Sequence, residues 1–118
     1  MYIYNCMGFL DKFKKSIEIK ENIPSVSSLE KIEQKILELE KKSKSNPNDS
    51  KIYFELYTCY VETSNLEKKI ECLEKLCSLL PDDFYPYQQL ADIFLNELND
   101  ENKAKFYQNK ANDLKNNF

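Results

Sequence analysis

The chain has 118 residues, of which 42% are apolar and 31% charged, with a net charge of −3, a composition typical of one globular domain. Its single glycine, Gly8, disfavours barrels, sandwiches and phosphate-binding loops, which depend on glycine for tight turns and close backbone approach. Every basic residue is lysine, and without arginine or histidine the sequence lacks the usual residues for nucleic-acid recognition, general-base catalysis and metal binding. We therefore expect an all-α protein with no nucleic-acid partner.

Residues 1–27 are predicted to form an amphipathic helix followed by a loop. Apolar side chains recur there at helical spacing: Phe9, Leu10, Phe13 and Ile17. Two interpretations stay open. The segment caps the apolar edge of the helices that follow, or residues 1–20, with their excess of lysine, lie on an anionic membrane surface.

The rest of the chain, residues 28–118, is predicted to contain five more helices, about six in all. A first helix in residues 28–46 shows an apolar stripe, and Ser27 with Glu30 is interpreted as its capping box. Pro47 and Pro81 are 34 residues apart, and the same offset aligns four more pairs: Tyr53 with Tyr87, Leu56 with Leu90, Tyr60 with Phe94, and Asn65 with Asn99. The offset indicates an internal repeat.

Each repeat is predicted to hold two helices, the first repeat in residues 50–83 and the second in residues 84–118. A polar break separates the two helices of each repeat, with Asn65 as a candidate N-cap in the first. Asp82 and Asp83 are candidate N-caps at the start of the second repeat. The turn between the two helices of the second repeat needs one extra residue to bring Ala104 and Ala111 into register with the repeat pattern.

Residues 46–114 resemble tetratricopeptide repeats, which are helix–turn–helix units of 34 residues. The first repeat supplies the matching positions Tyr53, Leu56, Tyr60, Leu73 and Pro81. The second supplies Tyr87, Leu90, Ala91, Phe94, Ala104 and Ala111. Tyr57 and Lys69 depart from the pattern, because the family places small residues there for close helix packing. The resemblance implies a right-handed α-solenoid made of a half repeat, 28–46, and the two full repeats.

The resemblance also implies a concave face lined by the first helix of each repeat. Carried over by position, this partner-binding groove comprises Lys51, Phe54, Thr58, Val61, Glu62, Tyr85, Gln88, Gln89, Asp92, Leu95 and Asn96. An alternative stays open in which the N-terminal helices fold into the groove and bury its apolar side chains. Some members of the family clamp a C-terminal carboxylate on this face, but one lysine beside two acids is the wrong chemistry for an anion. A partner segment with apolar anchors or basic character fits better.

The cysteines do not predict a metal site. Cys72 and Cys77 are five residues apart on one predicted helix and point to different faces, and Cys59 is the only further thiol in the repeat. We interpret these three as buried apolar side chains. Cys6 is expected to be exposed, with acylation there as an alternative.

We therefore predict a non-catalytic protein–protein interaction module, an adaptor or scaffold, that binds a peptide or helical segment of another protein and needs no cofactor or metal. Charges begin at Asp11, before an apolar stretch long enough for a secretory signal, so a cytoplasmic location is expected. Three alternatives stay open: a small acidic chaperone of a secretion substrate, a peripheral membrane factor using residues 1–20, and a homodimer formed through the exposed end of the repeats.

Overall fold

The computed structural model describes residues 26–116 of the chain, with side chains from residue 28 onward. These residues form five helices: α1 (Val26–Ser45), α2 (Ser50–Glu62), α3 (Leu66–Leu79), α4 (Phe84–Asn96) and α5 (Glu101–Asn116). Within this part of the chain there is no strand, so the all-α prediction is confirmed there. The sixth predicted helix, around Phe9 to Ile17, lies outside the described residues.

Helix α1 begins at Val26, two residues before the predicted start. Ser27 therefore lies within the first turn of the helix, and its interpretation as the N-cap of a capping box is wrong. Serine has an intermediate helix propensity, so Ser27 and Ser28 are compatible with a helix that begins at Val26.

The chain divides into two compact units, residues 1–34 and residues 35–118, and the boundary falls inside α1. Of the first unit, the structure describes only the N-terminal part of α1. The second unit contains the C-terminal part of α1 and all of α2 to α5, and the features below belong to it.

The 34-residue offset recurs in the geometry of the second unit. Helices α2 and α4 are both 13 residues long, and their bounds differ by 34. Each is preceded by the same turn, in which the N–H of Asp49 donates to Asn46 O at 3.2 Å and that of Asp83 to Leu80 O at 3.1 Å. The two aspartates are also the N-caps, and each accepts a bond from the N–H two residues later, at 3.0 and 2.9 Å. Asp83 is thus confirmed as an N-cap.

The turns within the two helical pairs differ by one residue. Helix α3 begins at Leu66 and α5 at Glu101, an offset of 35, which is the extra residue expected for the second repeat. Both turns contain a residue with positive φ, Ser64 at 55° and Asn99 at 52°. Asn65 is confirmed as the N-cap of α3, because its side chain accepts a bond from Lys68 N at 3.2 Å.

The core of the second unit lies between α3 and α4: α3 packs against both α2 and α4, and α4 packs against α5 as well. Leu73 and Leu76 of α3 and Leu90 of α4 are completely buried. On α4 and α5, small side chains allow close approach, since Ala91 and Ala111 are both buried. Full burial of a leucine contributes roughly 1.5–3 kcal/mol, so each of these three leucines makes a substantial apolar contribution to the fold.

The leucine cluster gives a stability prediction. Leu73→Ala leaves a cavity between α3 and its two neighbours and is expected to lower the free energy of unfolding by about 2–5 kcal/mol. The measurement is urea denaturation followed by circular dichroism. Leu95→Ala is the matched control, because Leu95 is 50% exposed and its loss is expected to change stability by less than about 0.5 kcal/mol. Equal losses in the two variants would contradict the packing described.

Candidate partner-binding groove

Helices α2 and α4 lie side by side and run in the same direction. The rings of Phe54 and Tyr85 are in contact, with centroids 6.1 Å apart and planes tilted by 47°. One turn further along both helices, the Tyr57 hydroxyl donates to Gln89 Oε1 at 3.3 Å. Because the residue numbers rise together in the two contacts, the helices are parallel. We call the surface between them the α2/α4 groove; it is formed by Phe54, Tyr57, Thr58, Val61, Tyr85, Gln89, Asp92 and Asn96.

All eleven residues predicted for the groove lie on α2 or α4. Three are half-buried: Phe54, Gln88 and Gln89. The other eight are exposed: Lys51, Thr58, Val61, Glu62, Tyr85, Asp92, Leu95 and Asn96. Large apolar side chains on this face keep substantial exposure, 45% for Val61 and 40% for Tyr85. The alternative in which the N-terminal helices bury them also involves the helix predicted around Phe9 to Ile17, which lies outside the described part of the chain.

Gln88 does not face α2. It forms a double amide pair with Gln108 of α5, with N···O distances of 2.8 and 2.9 Å, and its Oε1 also accepts a bond from Lys115 Nζ at 2.9 Å. Leu95, seven residues later on the same helix, shares this side of α4. The two predicted groove residues therefore lie along the border between α4 and α5.

Tyr57 belongs to the groove, although from the sequence it was expected only to hinder close packing of the helices. Its position three residues after Phe54 and four before Val61 places it on the same helical face, which is the signal that identifies it. Its pKa is raised, first by burial and then by its neighbours Tyr85, Glu97 and Asp92. Tyr57 therefore fills the space between the helices, where the family pattern has a small residue.

Lys69, the other departure from the family pattern, also reaches the neighbouring repeat. Its Nζ lies 3.4 Å from a carboxylate oxygen of Glu97, the C-cap residue of α4. Only 13% of the Lys69 side chain is exposed, so its aliphatic part is covered while the ammonium group is paired. Both bulky residues thus connect the first repeat to the second.

A second concave feature is a cleft of about 270 Å³ between α1, α2 and α3. Its lining consists of Glu40, Ser43, Tyr53, Leu56, Tyr60, Lys68, Glu71, Cys72 and Lys75. The Tyr60 hydroxyl donates to Glu40 at 2.8 Å, and burial together with this bond raises the pKa of Tyr60. Lys68 pairs with Glu71 at 3.4 Å, and Lys75 lies over the Tyr53 ring. The polar groups satisfy one another, so we interpret the cleft as a structural contact of α1.

The described cysteines are free thiols. Cys59 and Cys72 are buried, as predicted, whereas Cys77 is only partly buried. Burial raises the pKa of all three, to about 12 for Cys72 and about 11 for Cys77, so they stay protonated and poorly nucleophilic at neutral pH. Residues 26–116 contain no group of three or more side chains that could hold a metal ion. Cys6 lies outside this range.

None of the described helices combines the length and the apolar character that crossing a bilayer requires. Models of protein families, curated proteins and solved structures yield no significant match to the chain. The groove is therefore interpreted from its own residues.

The Tyr57–Gln89 bond can be tested by a double-mutant cycle. Tyr57→Phe combined with Gln89→Met is expected to show a coupling energy of about 0.5–1.5 kcal/mol in urea denaturation, because each single change breaks the same hydrogen bond. Tyr53→Phe with Gln89→Met is the control pair. The Tyr53 hydroxyl donates to Pro47 O at 3.0 Å and shares no partner with Gln89, so its coupling should be near zero. Equal coupling in both pairs would show that α2 and α4 do not meet at Tyr57.

Proposed function

We propose that the chain is a non-catalytic protein-interaction module and that the α2/α4 groove binds a peptide segment of a partner protein. The observation that carries the proposal is the contact between Phe54 and Tyr85, which places two aromatic side chains at the junction of parallel helices. Tyr85 is 40% exposed there, and Val61 continues the apolar surface two turns along α2. Aromatic side chains of this kind are typical anchors of protein interfaces.

Polar groups border the apolar surface and suit it to peptide binding. Gln89 and Asn96 lie on the α4 side, one half-buried and the other exposed. Amide side chains can both donate and accept. Gln89 Oε1 already accepts from Tyr57, so its amide nitrogen, together with the Asn96 amide, can bond the backbone of an extended or a helical segment. The Thr58 hydroxyl, in contrast, donates to Phe54 O at 3.1 Å within its own helix. Apolar anchors with adaptable polar neighbours are the usual arrangement of a peptide site.

The architecture included in this proposal is a short, degenerate tetratricopeptide-like solenoid, consisting of a half repeat and two full repeats. Its support is the recurrence of helix bounds, turn and N-cap at an offset of 34 residues. Stacking of such repeats brings their first helices together along one concave face. An adaptor or scaffold role in the cytoplasm agrees with this architecture and stays a prediction.

The proposal assigns no catalysis to the groove. Its described titratable side chains are the phenols of Tyr57 and Tyr85 and the carboxylate of Asp92. Burial and nearby negative charge raise the pKa of Tyr57, which keeps its hydroxyl protonated and available as a hydrogen-bond donor. Binding a peptide requires none of these groups to gain or lose a proton.

The test starts from short random peptides displayed on phage and selected against the full chain. The affinities of the selected peptides are then measured by fluorescence anisotropy for the wild type and for Phe54→Ala and Tyr85→Ala. We expect each substitution to weaken binding about ten-fold or more, as truncation of an aromatic anchor typically does. Phe106→Ala is the matched control, since Phe106 is 57% exposed but lies on α5. Unchanged affinity in both groove variants, with folding intact, would overturn the proposal.

A further inference from the structure

The two ends of the α2/α4 groove differ in charge. At the end where both helices start, the apolar contact of Phe54 with Tyr85 lies beside the exposed Lys51. Two of the three acidic side chains that directly precede the two helices, Asp49 and Asp83, are engaged as N-caps by the backbone N–H groups of their own helices, whereas Asp82 is exposed. The charge of the two N-caps is thereby directed at the positive ends of the helix dipoles.

The other end of the groove is acidic. Glu62 is the last residue of α2, Asp92 lies one turn before the end of α4, and Glu97 is the C-cap of α4. Because the two helices are parallel, their C-terminal ends lie at this same end, and each adds partial negative charge.

Two lysines lie near this acidic end without pairing with Asp92: Lys69, and Lys115, which donates to the Gln88 amide that also bonds Asp92. Lys69 pairs with Glu97 at 3.4 Å, but within the described part of the chain no lysine lies within ion-pair distance of Glu62 or Asp92. Asp92 Oδ1 accepts a bond from the neutral amide of Gln88 at 3.2 Å. The Asp92 carboxylate therefore faces solvent, at a fixed distance along α4 from the contact between Phe54 and Tyr85.

The negative charge reaches into the groove itself. Asp92 and Glu97 both raise the pKa of Tyr57, in addition to the effects of burial and of Tyr85. Tyr57 lies between α2 and α4, so both carboxylates are close enough to the groove to act on the Tyr57 hydroxyl.

The separation along the groove follows from helix geometry. Asp92 lies seven residues after Tyr85, which is two turns on the same face of α4 and about 10 Å along its axis. An extended segment covers this distance in three residues and a helical one in seven. The groove thus offers an apolar contact and a carboxylate at a spacing that a short segment can match.

Building on the function proposed above, we propose that the segment bound by the groove is basic and amphipathic. An aromatic or aliphatic side chain of the segment packs on Phe54 and Tyr85. A lysine or arginine, three residues away in an extended segment or seven in a helical one, pairs with Asp92. A segment ending in a carboxylate or carrying phosphate is disfavoured, because the groove would place its charge near Asp92, Glu62 and Glu97. The same charges favour encounter with a basic partner and weaken that encounter in high salt.

The test uses synthetic fluorescent versions of the phage-selected peptides and the full chain. The peptides are expected to contain an apolar residue and a basic residue at one of the two spacings. Asp92→Asn should weaken their binding about three- to ten-fold at low salt and reduce its salt dependence. Adding Glu62→Gln should weaken binding further. Asp113→Asn, the same change at an exposed position of α5, is the matched control and should leave affinity unchanged.

A second arm localises the contact. Replacing the basic residue of the peptide by norleucine should weaken binding to the wild type but much less to Asp92→Asn, because the partner charge is already missing there. Equal weakening with both proteins would show that the basic residue binds elsewhere and would overturn the inference.

The remaining outcomes separate this inference from the proposed function. Peptides that depend on Phe54 and Tyr85 but lack a basic residue, or bind Asp92→Asn as tightly as the wild type, would overturn the basic-segment inference and leave the groove function standing. If no selected peptide depended on Phe54 or Tyr85, both would fall. A dimer in sedimentation that Phe54→Ala dissociates would show that a second copy occupies the groove, which also overturns the inference.

Discussion

Helix α3 carries a stripe of leucines that must be shielded from water along two sides. Leu73 and Leu76 have no exposed surface, and α3 packs against both α2 and α4. Two helices that pack antiparallel to the same central helix are necessarily parallel to each other. The α2/α4 groove therefore follows from the burial of α3, and the contact of Phe54 with Tyr85 is its consequence.

This arrangement also explains why the first repeat tolerates bulky residues at Tyr57 and Lys69. Small residues at these positions would bring neighbouring helices close together, whereas here the two side chains extend to the second repeat. Tyr57 reaches Gln89, and Lys69 reaches Glu97. Two polar contacts thus add to the apolar packing between these helices.

The helix caps and the turn lengths were predicted well from the sequence, because they depend on local chemistry. Asn65 and Asp83 are caps, and the extra residue before α5 is present, since short polar side chains and turn lengths act over a few neighbouring residues. The start of α1 at Val26 was missed because serine is compatible with both a cap and a first turn. The position carried over from the repeat family placed Gln88 on the groove face. The burial of Leu90 and Ala91 sets the rotation of α4 against its neighbours, and Gln88 is thereby turned toward α5. Sequence periodicity predicts which residues share one face of a helix, but it does not predict which neighbouring helix that face contacts.

The central claim, that burial of α3 places α2 and α4 in parallel contact, is tested most directly by proton–proton nuclear Overhauser effects between selectively labelled phenylalanine and tyrosine rings. At a centroid separation of 6.1 Å, the ring protons of Phe54 and Tyr85 should give cross-peaks. Tyr85→Phe provides the assignment, because it should remove these cross-peaks and leave those of the other phenylalanine–tyrosine contacts, Phe94 with Tyr107 and Phe106 with Tyr107. Absence of the cross-peaks between Phe54 and Tyr85 in a chain whose five helices are intact by backbone chemical shifts would contradict the account.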